Sequence, residues 1–465
     1  MATLDYLQLA KDNVDRVYYN LETLCICFPG RISGSENLEK ALDYLVEYGH
    51  ENYPVGCCQA ETVCCVPCWT RGDWRSETCS ITINPSPTAK PTPFPLQRQI
   101  RLLANGLSIG TGPEGVSGEI VIINSWEELT SIGEAGGIKN KIVLYDYQNW
   151  VTYGNHAAFR GKGAQEAAKY GAVAVLIRTL TPNTSTSGPH TGSQVPHAEG
   201  AHAIPAACIS IEDTELLSRL SKRGHGLSAT VYLPCTQGPD RQSRNIIFEI
   251  KGSEFPDEVV ILGGHTDCWD CQHASCQGAH DDGQGVIIAM EIVRILLATG
   301  VQPRRTIRAV LFVDEEVRQS GAVAYAEAHK EEAEGGKIVA AIETDLGVGP
   351  VCGFGYSGSA EGRRTLRRLL HPLSESLGEL GKSVVNVDDA WSGHGVDISP
   401  LIDRFKVPGL LLRHEDSWWN EEYFHFHHTA SDTIDHVDKE KLRMNLAVLL
   451  GATWVLANSN ETLPR

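Results

Sequence analysis

From residue 242 to its end the chain alternates short runs of β-branched and aliphatic residues with segments of helical period, and few architectures satisfy that alternation. "NIIFEIKG" and "EVVILGGH" are predicted strands, and "GVIIAMEIVRILLATG" is a helix ending at Gly300. "RTIRAVLFVDEE", "IVAAIETD" and "VPGLLLRHE" are further strands. "AVAYAEAHKEEAEGG", "RRTLRRLLHPLSESLGEL" and residues 438–458 are the helices between and after them. The rhythm predicts an α/β fold: a doubly wound mixed sheet with helices on both faces. In such sheets ligands sit at the carboxyl ends of the strands.

The rest of the chain has other textures. Residues 1–52 read as helices, with Ser35 capping one that begins at Glu36. Six cysteines crowd into 57–79, either as a disulfide-stapled segment or as reduced surface thiols. From 118 to 235 short strands ("GEIVII", "KIVLYDY", "AVAVLI", "ATVYL") and two helical segments suggest a small inserted unit. The expected organisation is therefore 1–117, the insert 118–235, and a catalytic part 236–465, as suits a chain of 465 residues.

The net charge of −18 argues against nucleic acid and against an anionic membrane surface as partners. No apolar run is long enough to span a bilayer, since "LAVLLGATWVLA" is too short. The amphipathic start lacks a secretion signal, so a complete chain is expected in the cytoplasm; otherwise a leader has been removed.

Chemistry gathers at the strand ends. His265 and Asp267 follow one strand, Asp281 and Asp282 open the next helix, and Asp314, Glu315 and Glu316 end another strand. Asp345 ends a third, and His428 precedes the last helix. Clustered carboxylates repel unless a cation neutralises them. Imidazole with carboxylate and no obligatory thiolate is a hydrolytic zinc set, and one carboxylate can bridge two ions about 3.5–4 Å apart.

"GGHTD", "GAHDDGQG", "FVDEE", "IETDLG" and "HHTASDT", in this order, resemble the zinc aminopeptidase/carboxypeptidase clan of co-catalytic exopeptidases, and within it the carboxypeptidase Q type. "RISGSENLEKA", "GLSIGTGPEGVSGEIV", "GAQEAAKYGAVAVLIR" and "GPHTG" extend the likeness over nearly the whole chain. The resemblance implies a zinc exopeptidase fold with a protease-associated-like insert at 118–235. It implies two zinc ions, one held by His265 and Asp345, the other by Glu316 and His428, with Asp281 bridging. Asp267 would orient His265, Glu315 would be the general base, and His427 would stabilise the oxyanion where related aminopeptidases have Tyr. The implied substrates are short peptides, chiefly dipeptides with free termini, and the implied assembly is a homodimer, secreted or lysosomal. The rivals are an aminopeptidase on longer peptides and a non-enzymatic binding protein of the same fold.

One departure stands out. The interval from His265 to Asp281 is a few residues longer than the family's usual one, because "CQHASC" is inserted. Two alternatives are open: a Cys271–Cys276 disulfide holding the loop clear of the metals, or intrusion of His273 or a thiol into the centre. Trp418, Trp419 and Tyr423 are candidate pocket aromatics, and Asp397 is a candidate for positioning a substrate or a helix. "GFGYSG" (353–358) matches a dinucleotide motif without the acidic residue that should follow. HExxH and GxSxG are both absent, against zincin or α/β-hydrolase chemistry.

Overall fold

A computed structural model describes the chain except for residues 1–3, 86–96, 183–187, 196–201, 272–275, 379, 385 and 389–394. Its main sheet runs Cys58–Val66, Arg241–Ile250, Arg305–Phe312, Phe255–His265, Ile338–Glu343, Gly409–His414, Val351–Ser357 and Val387–Asp388. The four strands at its centre are parallel, and antiparallel pairs flank them on both sides. Successive side chains of a strand point to opposite faces, and here both faces are covered. Val260 and Leu262 join a core built with helices Tyr6–Cys27, Glu36–Asn52, Gln284–Thr299, Ala360–Ser376 and Lys439–Asn458. Val259 and Ile261 join the opposite core with Ser320–Ala328 and Ser399–Phe405. The expected mixed, doubly wound sheet is what forms. The "GFGYSG" glycines lie mostly within an ordinary sheet strand.

The helix signals hold at their ends. Ser35 accepts the amide of Leu38 and caps Glu36–Asn52, a contact typically worth about 1 kcal/mol. Gly300, at φ +70°, closes Gln284–Thr299 in the left-handed conformation that glycine adopts without penalty.

A second sheet of eight strands is inserted between Cys58–Val66 and Arg241–Ile250, which are neighbours in the first. Its centre is four parallel strands: Val116–Ile123, Ile142–Tyr145, Ala174–Arg178 and Ala206–Ile209. It also takes in Thr78–Asn84, Gln97–Ile100 and Leu102–Ala104, ahead of residue 118 where the sequence texture changes. Gln97–Ile100 pairs with Thr78–Asn84, while Thr78–Asn84 and Leu102–Ala104 also pair with strands more than a hundred residues away, which local pattern does not reveal.

All fourteen cysteines are free thiols. The cysteine-rich segment is not a stapled loop but an edge strand, Cys58–Val66, in which Val63 and Val66 are buried and Cys64 and Cys65 exposed. The ladder is irregular between Val63 and Val66, where Cys65 has a φ of +65°, and both Cys64 and Cys65 face outward there.

This edge strand is tied to the helical layer by an imidazole between two carboxylates. His329 Nε2 lies 2.9 Å from Glu61 and its Nδ1 lies 3.0 Å from Glu332, which Arg308 also holds at 2.8 Å. Burial opposes the charge on His329, but the hydrogen bonds to Glu332 and Glu61 outweigh it and raise its pKa. Unfolded histidine titrates near ~6.5. Below that value the imidazolium is present in both states and its ion pairs contribute fully; the contribution fades as pH rises through the raised native pKa. Denaturant midpoints of wild type and His329→Gln should therefore differ most at acidic pH and converge in alkaline buffer.

Candidate metal centre

The parallel strands bring the expected residues together at their carboxyl ends. His265 is the last residue of its strand, and Nε2 faces Asp281 Oδ1 at 3.2 Å and Asp345 Oδ1 at 3.4 Å. His428 Nε2 faces the other oxygen of Asp281 at 3.2 Å and Glu316 Oε2 at 3.0 Å. Asp281 thus lies between two imidazoles, one oxygen toward each. Ligands about 2.0–2.2 Å from a tetrahedral ion stand roughly 3.3–3.6 Å from one another, close to the separations found.

The donor set fits such ions in a second respect. His265 Nε2, Asp281 Oδ2, Glu316 Oε1 and Asp345 Oδ1 are buried and make no well-directed hydrogen bond. Burial, and after it neighbouring carboxylates, push Glu315 and Glu316 well above the usual carboxylate range. Burial would raise Asp281 too, yet the two imidazoles hold it well below that range. Burial opposes the charge on His265, and Asp345 and Asp281 overcome it. Groups this desolvated and this crowded call for cations.

Local structure explains which carboxylates are free. Asp282 is also near His265, but it is fully engaged: Oδ2 accepts the His265 amide at 3.1 Å, and Oδ1 accepts Gln284 Nε2 and the Gly285 amide. A side chain at Gly264 or Gly285 would collide with it, at 2.0 and 2.4 Å from Oδ2. Asp314 turns the chain at φ +65° and bonds Ser320, outside the centre. Behind that turn, Asp267 accepts the amides of Glu315 and Glu316, both at 3.1 Å, and the Ser33 hydroxyl at 3.0 Å. It is the carbonyl of Asp267, at 3.0 Å, that meets His265 Nδ1; the carboxylate is 3.8 Å away. Asp267 therefore orients the imidazole through its backbone and the two glutamates through its side chain. Glu315 keeps 14% of its side chain exposed toward the cleft, against 4% for Glu316.

His190, His427 and His428 also gather their nitrogens. The rings of His427 and His428 stack at 3.6 Å and 15°, however, so their in-plane lone pairs run parallel and do not converge on one ion. His427 Nε2 is 3.7 Å from Asp281, and burial, then His428, holds this imidazole well below its ordinary pKa.

Among the described residues the two cysteines of the insertion stay out of the centre. Cys271 and Cys276 hydrogen-bond to each other as buried thiols, not as a disulfide, and no thiol joins a metal-binding group among the described residues. His273 lies outside the described residues. Arg31, fully buried, fastens both ends of the segment: it donates to the carbonyl of Thr266 before it and to those of Gln277 and Gly278 after it.

Several supporting residues escape sequence reasoning. Trp269 donates its indole N–H to Glu316 Oε2 at 2.6 Å. Asp432, within the "HHTASDT" motif, accepts the amides of His280 and Asp281 at 2.7 and 3.1 Å. Arg160 and the segment 190–193 reach the centre from the inserted unit; "GPHTG" (188–192) hinted at the second, and nothing in the sequence singled out Arg160. The centre opens into a cleft of about 410 Å³ lined by Asp281, Glu315, Glu316 and Asp345, by Arg160, and by Tyr153, Trp419, Tyr423 and Phe424. Trp418 is instead buried, bonded to the Leu346 carbonyl, and Asp397 is buried away from the cleft.

Fold and centre together define a metallo-exopeptidase. The profile of peptidase family M28 matches residues 245–453. Carboxypeptidase Q of Homo sapiens is 33% identical over 452 residues, covering 97% of this chain and 87% of that protein. The chain belongs to this family. A crystal structure of a peptidase M28 precursor from Shewanella amazonensis SB2B is 30% identical and covers 99% of this chain and 98% of its own, with a TM-score of 0.84. A zinc aminopeptidase from Bacillus subtilis shares the fold at 19% identity and a TM-score of 0.67, covering 97% of each chain.

Asp267→Asn tests the support beneath the two glutamates. The amide has one acceptor oxygen where the carboxylate has two, so one buried N–H loses its partner. Denaturant unfolding should show a loss of about 1–3 kcal/mol.

Proposed function

We propose that the chain is a two-zinc exopeptidase acting on dipeptides with free termini. The observation that carries this reading is Asp281, one oxygen toward His265 and the other toward His428. In it His265 and Asp345 hold one ion, Glu316 and His428 the other, and Asp281 bridges them. Zinc so held supplies Lewis acidity and lowers the pKa of water to roughly 7.

The chain's own residues do the rest. Glu315, raised in pKa and facing the cleft, takes a proton from water and returns it to the leaving amine. His427, a neutral imidazole at the cleft wall, donates to the oxygen of the scissile carbonyl. Arg160 is the one Lys or Arg among the described residues lining the cleft, and it suits a substrate carboxylate close to the reacting bond. The aromatic wall of Tyr153, Trp419, Tyr423 and Phe424 limits the length of peptide that fits. A homodimer, a secretory or lysosomal location, and kinship of the second sheet with protease-associated domains belong to the same proposal and rest on resemblance. No helix among the described residues is long and apolar enough to cross a membrane.

Chelation should abolish dipeptide hydrolysis and added zinc should restore it, with His265→Ala and His428→Ala each losing metal. Glu315→Gln should keep fold and zinc while turnover falls by roughly 10²–10⁴. Glu316→Gln should weaken one zinc together with activity. A near wild-type rate for Glu315→Gln would remove the assigned base. For Arg160→Leu, a panel of dipeptides and their C-terminal amides should show a raised KM for the free acids and little change for the amides.

A further inference from the structure

The two halves of the centre are supported from different parts of the chain. On the His265 side every hydrogen bond comes from the main sheet and its loops: Nδ1 meets the carbonyl of Asp267, and the amide is held by Asp282. On the other side Asp267 and Trp269 hold Glu316 from the main sheet's loops, and further partners come from the inserted unit. His428 Nδ1 lies 3.1 Å from the carbonyl of Thr191, and the Thr191 amide donates back to the carbonyl of His428 at 3.0 Å. Ser193 Oγ donates to the carbonyl of Glu316 at 2.8 Å, and the His190 ring contacts the carbonyl of His427.

The loop 190–193 is itself fixed within the second unit. Thr191 Oγ1 donates to the Ala104 carbonyl at 2.8 Å, and Gly106 exchanges backbone bonds with Gly192 and Gln194 at 3.0 and 3.1 Å. His190 and Thr191 are fully buried. Trp269, which holds the Glu316 carboxylate, rests on the same place: a Cβ at Gly106 would lie 2.0 Å from its ring.

We propose that loop 190–193 of the inserted sheet sets the metal affinity of the Glu316–His428 position and leaves the His265–Asp345 position unaffected. The inference rests on the two-zinc reading above. Of the two groups at His428 Nδ1, the Thr191 carbonyl at 3.1 Å is closer than Arg160 Nη1 at 3.4 Å; with Nδ1 donating to that carbonyl, Nε2 keeps its lone pair for the ion. Partners of this kind are worth about 10–100-fold in metal affinity. These are positioning residues; they touch the ligands and not the substrate.

Gly192 is the position at which to move the loop. Its φ of +135° suits glycine, so Gly192→Ala strains the loop backbone, and the added Cβ, 2.2 Å from the Arg160 guanidinium carbon, pushes that side chain aside. Ser193→Ala is the milder second variant, removing one hydrogen bond, and serves if the first does not fold. Zinc is titrated into the metal-free, full-length protein against a competing chelator, with thermal melts as the control for folding.

Wild type should bind two ions. Gly192→Ala should keep one at wild-type affinity and weaken the other by about 10–100-fold, as read by the zinc titration itself. Ser193→Ala should shift the same ion less. Combined with Glu316→Gln, Gly192→Ala should add little, since both act on one position. Unchanged affinities in both variants, or equal weakening of both ions, would overturn the proposal while leaving the two-zinc reading intact. A wild-type protein that binds no zinc would overturn that reading and this inference together.

Discussion

Everything about the centre follows from the concentration of buried carboxylate at the carboxyl ends of parallel strands. Asp281, Glu315, Glu316 and Asp345 approach one another where little water reaches, and two imidazoles are too few to balance them. Two neighbouring carboxylates that do not face the cleft, Asp282 and Asp267, are by contrast well supplied with donors. Asp282 and Asp267 between them accept amides from His265, Gly285, Glu315 and Glu316, which converts potential repulsion into a rigid backbone frame. The carboxylates that face the cleft are left short of donors. That division of labour between adjacent acids, 281 from 282 and 315 from 267, makes a metal centre out of a cluster.

Much of this was legible in the sequence, because the main sheet is built from contiguous periodic segments. Strand 258–265 and helix 285–300 announce themselves by hydrophobic period and by Gly300, and the candidate ligands fall at their ends by simple succession. The rule that a doubly wound sheet presents one end of its strands to a ligand gathers the acids and imidazoles of 265–282, 314–316, 345 and 428, and the family resemblance implies which five of them are ligands.

What was not legible depends on contacts between distant segments. The start of the second sheet near residue 78 is hidden because its first strands acquire partners only through folding. Trp269 lies in a segment whose cysteines draw the eye, and nothing local says that its indole meets Glu316. The role of Asp267 was half readable: its nearness to His265 in sequence suggested a carboxylate–imidazole pair, whereas the turn at Asp314 delivers two amides to that carboxylate first. The crowding of thiols in 57–79 invited disulfides, whereas several of them lie along an edge strand as free cysteines.

Arg31 bears on how such a centre can vary. By holding the carbonyls of Thr266, Gln277 and Gly278 at once, a single guanidinium closes the base of the segment that carries "CQHASC". Whatever length of chain leaves that base must return to it, so His265 and Asp281 keep their separation regardless of what is threaded between. Asp267 and Trp269, which hold the two glutamates, lie just inside that base, so a change of length is compatible with the chemistry beyond them and not within.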